Sequence, residues 1–72
     1  MQSLEKRFGR TLRGRRQAAG FSQETLAAKA GLHRNYVGLL ERGERVPTIV
    51  VVSQLASALG TTMSDLLAEV ER

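Results

Sequence analysis

Apolar residues recur at intervals of three and four along most of the chain, and glycines separate the runs. The first run contains Leu4, Phe8 and Leu12, and Gly20 follows it. This spacing lines the apolar side chains along one face of a helix, and glycine is a common helix terminator. Applied to the whole chain, the pattern predicts five helices, at about residues 4–19, 23–30, 34–42, 49–59 and 63–70.

The residues that precede three of these helices are good N-caps. Ser22, Thr48 and Thr62 each carry a side-chain oxygen that can accept a hydrogen bond from the free N–H groups of a first helical turn. Strand signals are weak, since the single β-branched run, at residues 49–52, continues into a segment of helical period. Because all loops are short, the sequence predicts one all-α domain over residues 1–72, a compact globule of five helices.

The predicted core collects the inward-facing apolar positions of this pattern. Its members are Leu12, Phe21, Leu26, Ala27, Ala30, Val37, Leu40, Ile49, Val52, Leu55, Ala56, Leu59, Leu66 and Leu67. A domain of 72 residues is near the lower size limit for folding without disulfides or metal. A second subunit is therefore an expected source of further stability.

Composition argues against several classes of function. The chain has no cysteine and one histidine, which disfavours a disulfide framework or a metal site. No segment contains the roughly 20 apolar residues that span a membrane, and no glycine-rich phosphate loop is present. Ser22, His33 and Asp65 come nearest to a catalytic triad, yet they fall on three separate elements. We therefore expect a protein that is not an enzyme and that uses no cofactor, metal, membrane or small-molecule ligand.

The formal net charge of +4 is distributed unevenly. Residues 1–45 contain ten basic and four acidic residues, a local charge of +6, whereas residues 46–72 contain one basic and three acidic residues, a local charge of −2. The asymmetry favours a polyanionic partner for the first part and a different contact for the second. A solubility charge that happens to be uneven explains the same numbers equally well.

Residues 23–42, QETLAAKAGLHRNYVGLLER, combine the features required where two helices meet at a steep angle. Ala27 is small, Gly31 suits a tight turn, and Leu26, Val37 and Leu40 are apolar. A large side chain at position 27 would separate the helices, and a Cβ at position 31 would strain the turn. The combination is typical of a helix-turn-helix.

The chain resembles the Xre-type, phage-repressor-like helix-turn-helix regulators over about residues 8–68. The matching segments are FGRTLRGRRQAAGFSQETLAAKAGL, YVGLLERGERVPT and LASALGTTMSDLL. Within that family, GLHRNYVGLLERGERVPT is most similar to the controller proteins of restriction–modification systems. Two positions depart from the family pattern. His33 stands where a Ser, Thr or Asp cap is usual, and Arg15 stands where an apolar residue is usual.

The resemblance implies a repressor-like five-helix domain that binds double-stranded DNA as a homodimer on a (pseudo)palindromic operator. Such a protein is expected in the cytoplasm, encoded by a bacterium or a phage and associated with the nucleoid when bound. A phage-type repressor or an antitoxin-like autoregulator is the alternative within the same class. A protein-interaction module that keeps the fold without DNA binding is the alternative from a different class.

Recognition of bases is expected from the start of the second helix of the motif, which enters the major groove in this geometry. Arg34 can donate a fork of hydrogen bonds to guanine, and Asn35 can pair with adenine. Tyr36 could contact a thymine methyl or a phosphate, or it could pack as a half-buried ring. Leu39 could contact a thymine methyl or join the core. Gly38 lowers helix stability, which suggests that a larger residue would collide with DNA or with helix 2.

Contacts to the DNA backbone are expected from Ser22, Gln23, His33, Arg42 and Arg45. Gln23 matches the family position whose amide binds a phosphate. Arg42 and Arg45 flank Gly43 in the loop after the second helix of the motif and are expected at the backbone or the minor-groove edge. The resemblance also implies an internal salt bridge between Arg16 and Glu41, so that one conspicuous arginine is structural. The roles of the other helix 1 arginines stay open at this point.

A dimer surface is expected on the last two helices, where apolar residues exceed what one small core can bury. Its candidates are Val50, Val51, Met63, Leu66 and Val70. Scattered exposed apolar residues are the ordinary alternative, because single ones are common on monomeric proteins.

Overall fold

The helices begin and end close to where the sequence places them. In the computed structural model, which describes residues 2–72, they are α1 (Leu4–Ala18), α2 (Gln23–Ala30), α3 (Arg34–Glu41), α4 (Ile49–Ala58) and α5 (Met63–Glu71). Every boundary lies within one residue of the prediction, and residues 2–72 contain no strand. The prediction of an all-α, five-helix domain is confirmed.

A side chain caps the start of every helix. Ser3, Ser22, Thr48 and Thr62 each accept a hydrogen bond from the N–H three residues further on, at 3.0–3.2 Å. His33 caps α3 through its ring, because Nδ1 accepts a hydrogen bond from the Asn35 N–H at 3.2 Å. The cap that departs from the family pattern therefore uses a ring nitrogen as its acceptor in place of a hydroxyl or carboxylate oxygen.

The helices surround one core. α1 packs against α3 and α5, α2 packs against α3 and α4, and α4 packs against α5. The buried apolar residues are Phe8, Leu12, Leu26, Ala27, Ala30, Val37, Leu40, Val52, Leu55, Ala56, Leu66 and Val70. Within residues 2–72, no single helix has both the length and the apolar character to cross a membrane. α4 and α5 have the required length and apolar character only when they are taken together, and the two helices are bent by 103° relative to each other.

Four expectations about apolar residues are wrong. Ile49 and Leu67 were predicted in the core, but their exposed fractions are 73% and 37%. Ile49 is the first residue of α4, and this helix enters the core through Val52, Leu55 and Ala56 instead. Leu66, predicted both in the core and in a dimer interface, and Val70, predicted only in the interface, are 0% and 5% exposed, so that only the core prediction for Leu66 is confirmed. They lie four residues apart on the inward face of α5, so that their side chains belong to the core and Leu67 is turned outward.

Gly9 permits the close approach of α1 to the end of α3. A Cβ built on Gly9 would lie 2.5 Å from the carbonyl oxygens of both Leu40 and Glu41. These are backbone atoms, so a rotamer change cannot relieve the clash. Nothing in the local sequence around Gly9 indicates this role, because the conflict arises with Leu40 and Glu41, which lie on a different helix far along the chain.

A buried ion pair joins the same two helices. Arg16 binds the Glu41 carboxylate with two hydrogen bonds, Nε to Oε2 at 2.6 Å and Nη2 to Oε1 at 3.1 Å. The side chains of Arg16 and Glu41 are only 12% and 3% exposed. The hydrogen bond to the carboxylate raises the pKa of the Arg16 guanidinium above its ordinary value, against the opposing effect of burial. The expected pair is therefore present.

Glu41 also organises the residues that lead into α2. Arg16 Nη1 donates to the Phe21 carbonyl oxygen at 2.9 Å, and Gln23 Nε2 donates to Glu41 Oε1 at 3.0 Å. The Arg16–Glu41 pair thus ties together α1, the loop after it, the end of α3 and the first residue of α2. In residues 2–72, no buried side-chain nitrogen or oxygen lacks a hydrogen-bond partner.

Replacing Gly9 by alanine should destabilise the domain, because the new methyl group forces α1 away from α3. We expect a loss of about 1–3 kcal/mol in the free energy of unfolding, measured by urea denaturation. Gly14 is the matched control on the same helix, since a Cβ there would meet no atom within 4 Å. Gly14→Ala should stabilise the domain by up to about 1 kcal/mol. Equal effects of the two substitutions would contradict the close-approach explanation.

Replacing Glu41 by glutamine should cost about 3 kcal/mol or more, because the buried Arg16 charge loses its counter-ion. The control is Glu44→Gln, which breaks an exposed pair with Arg42 and should change stability by about 1 kcal/mol or less. Chemical denaturation of both variants provides the comparison. Similar denaturation midpoints would show that Glu41 has no special structural role.

Candidate nucleic-acid interface

The turn between α2 and α3 is built by Gly31. Its φ of 73° lies in the left-handed region that glycine enters without strain. The Leu32 N–H then reaches the Ala27 carbonyl oxygen at 2.8 Å, and the Gly31 N–H reaches that of Ala28 at 3.4 Å. These two hydrogen bonds end α2, and α3 begins after two further residues. The side chain of Ala27 is 2% exposed, in agreement with the small residue predicted there.

An open, largely polar groove of about 910 Å³ lies between the N-terminal part of α2 and the outer side of α3. We call it the α2–α3 groove. Its lining residues are Arg16, Ser22, Gln23, Glu24, Arg34, Asn35, Gly38, Leu39 and Arg42. Six of the nine residues predicted to contact bases or backbone therefore line one surface. They are Ser22, Gln23, Arg34, Asn35, Leu39 and Arg42.

The other three predicted contact residues lie outside this groove. Tyr36 is half-buried and packs against the core, which agrees with the packing alternative for this ring. His33 is exposed and lines a smaller depression on α2, where its Nδ1 already serves as the cap. Arg45 is exposed in the loop between α3 and α4.

Gly38 leaves room for two polar side chains that cross the surface of α3. A Cβ at this position would lie 3.2 Å from Arg42 Nη1 and 3.6 Å from Gln23 Oε1. The nearest neighbours of Gly38 are thus the polar ends of two side chains that line the groove, Arg42 and, from α2, Gln23. Gln23 has a double role, because its amide nitrogen also donates to the buried Glu41 carboxylate.

Two of the groove arginines carry exposed carboxylate partners. Arg34 Nη1 donates to Glu24 Oε2 at 3.0 Å, and Arg42 Nε donates to Glu44 Oε2 at 3.0 Å. All four side chains are more than half exposed. From the sequence, Glu24 is explained by its place in the N-terminal turn of a helix, where an acid is favourable. That explanation does not predict its ion pair with Arg34.

Several arginines of α1 have structural partners. Arg15 Nε donates to Glu69 Oε2 at 3.0 Å, and Arg7 Nη2 donates to the Val70 carbonyl oxygen at 3.2 Å. Both contacts tie α1 to α5. The positive charge of residues 1–45 is therefore divided between internal ties and the exposed α2–α3 groove.

The exposed apolar residues lie mainly around the start of α4. Val46, Ile49 and Val50 have exposed fractions of 70%, 73% and 64%. Val51 and Met63, also expected at a dimer surface, are half-buried and pack against the core. Of the five predicted interface residues, Val50 presents the most free surface, while Val51 and Met63 present part of theirs.

Comparison with known proteins gives consistent results. A family profile described as a helix-turn-helix domain matches residues 7–70. Control protein C.MunI from a Mycoplasma species is 33% identical over 73 residues, covering 100% of this chain and 99% of its own length. Control protein C.SmaI from Serratia marcescens is 39% identical over 64 residues, covering 89% of this chain and 76% of its own.

A solved structure is similar to this chain in both fold and sequence. The restriction–modification controller protein C.AhdI from Aeromonas hydrophila superposes with a TM-score of 0.83 and 48% identity, covering 85% of this chain and 92% of that one. The resemblance inferred from the sequence is confirmed, since the family profile covers residues 7–70 and these relatives are described as control or controller proteins. The chain belongs to the helix-turn-helix family of DNA-binding transcriptional regulators.

Proposed function

We propose that this chain recognises a specific double-stranded DNA sequence as a homodimer and acts as the controller of a restriction–modification system. The observation that carries the proposal is the exposure of Arg34 and Asn35 on the first turn of α3, inside the α2–α3 groove. A guanidinium and an amide at this position match the donor and acceptor patterns of guanine and adenine in the major groove.

The other groove residues suit the phosphate backbone. Ser22 and Gln23 lie at the N-terminus of α2, where free N–H groups and the helix dipole favour an anion. Arg42 follows α3 and places its guanidinium beside Gly38, next to the Gln23 side chain. In this arrangement phosphate contacts fix the position of α3, and Arg34 with Asn35 selects the sequence.

Two copies are required to read a palindromic operator. Val50 is 64% exposed beside Ile49, and their side chains give α4 an apolar surface that a second copy can cover. In such a dimer each α3 reads one half-site, with the half-sites about one helical turn, roughly 34 Å, apart. The controller role rests on similarity to C.MunI, C.SmaI and C.AhdI, which are described as control or controller proteins.

Replacing Arg34 by alanine should weaken binding to the preferred site by about 1–3 kcal/mol and relax discrimination at one base pair. The site is first selected from random duplexes with the wild-type protein, and single-base variants are then compared by gel shift. Arg13→Ala is the control, because Arg13 is exposed on α1 and does not line the α2–α3 groove. Unchanged discrimination by Arg34→Ala would favour a protein-interaction module instead.

Replacing Val50 by aspartate should shift the protein from dimer to monomer in sedimentation at micromolar concentration, because a charge would be buried at the interface. Operator binding should weaken in parallel, since both half-sites can no longer be held together. Ala18→Glu introduces the same charge at an exposed position of α1 and should leave the dimer intact. A wild-type monomer at high micromolar concentration would refute the dimer.

A further inference from the structure

Glu24 and Arg34 connect the first turns of the two helices of the helix-turn-helix. Glu24 is the second residue of α2 and Arg34 is the first residue of α3. Their contact, Arg34 Nη1 to Glu24 Oε2, measures 3.0 Å. The side chain of Arg34 is 64% exposed and that of Glu24 is 74% exposed. The pair is therefore available to a macromolecule that enters the α2–α3 groove.

The negative charge of Glu24 is unfavourable on a surface that binds a polyanion. Glu24 is the one carboxylate among the residues that line the α2–α3 groove. Glu41 lies beneath them, buried and bound to Arg16. The first turn of α3 contains no acid of its own, so Glu24 supplies the negative charge nearest to the Arg34 guanidinium in the described structure.

We propose that Glu24 is a specificity-determining residue that restricts Arg34 to base recognition and withholds it from phosphate contacts. This inference rests on the proposed function, in which Arg34 reads a base. Glu24 acts through Arg34 and touches no base itself. It lowers the affinity for unrelated DNA, and the affinity for the operator is largely retained.

The different chemistry of the two Arg34 contacts provides the mechanism. Attraction to a phosphate depends on net charge and on the release of counterions. A guanidinium neutralised by Glu24 therefore gains little from a phosphate. Recognition of guanine depends on two directed N–H donors, and a guanidinium has five. The hydrogen bond to Glu24 uses one of them, which leaves enough donors for guanine O6 and N7.

The relative strengths of these contacts are compatible with the proposal. An exposed ion pair changes an equilibrium constant by about fivefold or less. A good bidentate contact to the correct base discriminates by about 5- to 150-fold. Guanine can therefore reorient Arg34 where that is needed, whereas a phosphate contact, which has no such directional advantage, competes poorly with Glu24.

The second exposed pair in this region provides a matched control. Arg42 and Glu44 also meet at 3.0 Å, with side chains 57% and 54% exposed. Arg42 is assigned to the backbone and not to a base. Removal of the Glu44 charge should therefore strengthen binding to all duplexes alike.

The test measures equilibrium binding of the full chain to its selected operator and to an unrelated duplex, over a series of salt concentrations. Glu24→Gln keeps the size and helical preference of the side chain and removes its charge. We expect affinity for unrelated DNA to rise about three- to tenfold, with the salt dependence steeper by about 0.9 per subunit in the logarithmic slope, because each subunit contacts one more phosphate. The ratio of operator to unrelated binding should fall by a similar factor.

Glu44→Gln and an Arg34→Ala background separate this effect from general electrostatics. Glu44→Gln should leave the operator ratio unchanged. In the Arg34→Ala background, Glu24→Gln should no longer alter that ratio. Circular dichroism confirms that each variant is folded.

Three results would overturn the inference. They are an unchanged ratio in Glu24→Gln, a loss of operator affinity as large as in Arg34→Ala, and an effect of Glu24→Gln that persists without Arg34. The last result would mean that Glu24 repels DNA on its own. If wild-type protein selects no site at all, the proposed function fails together with the inference, and this outcome is visible before any variant is compared.

Discussion

The arrangement of the domain depends on the hydrogen bonds that the buried Glu41 carboxylate accepts. The carboxylate holds Arg16 of α1 by two hydrogen bonds and Gln23 of α2 by a third, while it belongs to the last turn of α3. Gly9 lets α1 approach closely enough for this contact to form. A buried ion pair adds little stability by itself, but the loss of one partner leaves an uncompensated charge. The pair therefore specifies one relative position of α1, α2 and α3.

The α2–α3 groove inherits its geometry from this buried layer. Gln23 lines the groove and is also bound to Glu41 beneath it. Gly38 provides the space in which Arg42 and Gln23 lie side by side. Under the proposed function, side chains that are held from below lose less conformational entropy when the groove binds duplex DNA. The two arginine–carboxylate pairs, Arg34–Glu24 and Arg42–Glu44, are by contrast exposed to solvent.

Local signals made the fold predictable from the sequence. Caps such as Ser22 and a left-handed residue such as Gly31 act within a few positions, so a single sequence reveals them. Features that depend on distant segments were not predictable in this way. The clash that excludes a side chain at Gly9 and the pairing of Glu24 with Arg34 arise only once the helices are packed. Periodicity also cannot tell which end of an apolar run is covered, and Ile49 was misplaced for that reason.

The ties between α1 and α5 have a consequence for the order in which the domain forms. Arg7 and Arg15 are made early during synthesis, yet their partners Val70 and Glu69 belong to the last helix. Each helix carries its own start signal, so the helices can form as local units on the ribosome. The apolar face of α1, however, stays partly uncovered until α5 has emerged. The core can therefore close only after α5 has been synthesised and has left the ribosome.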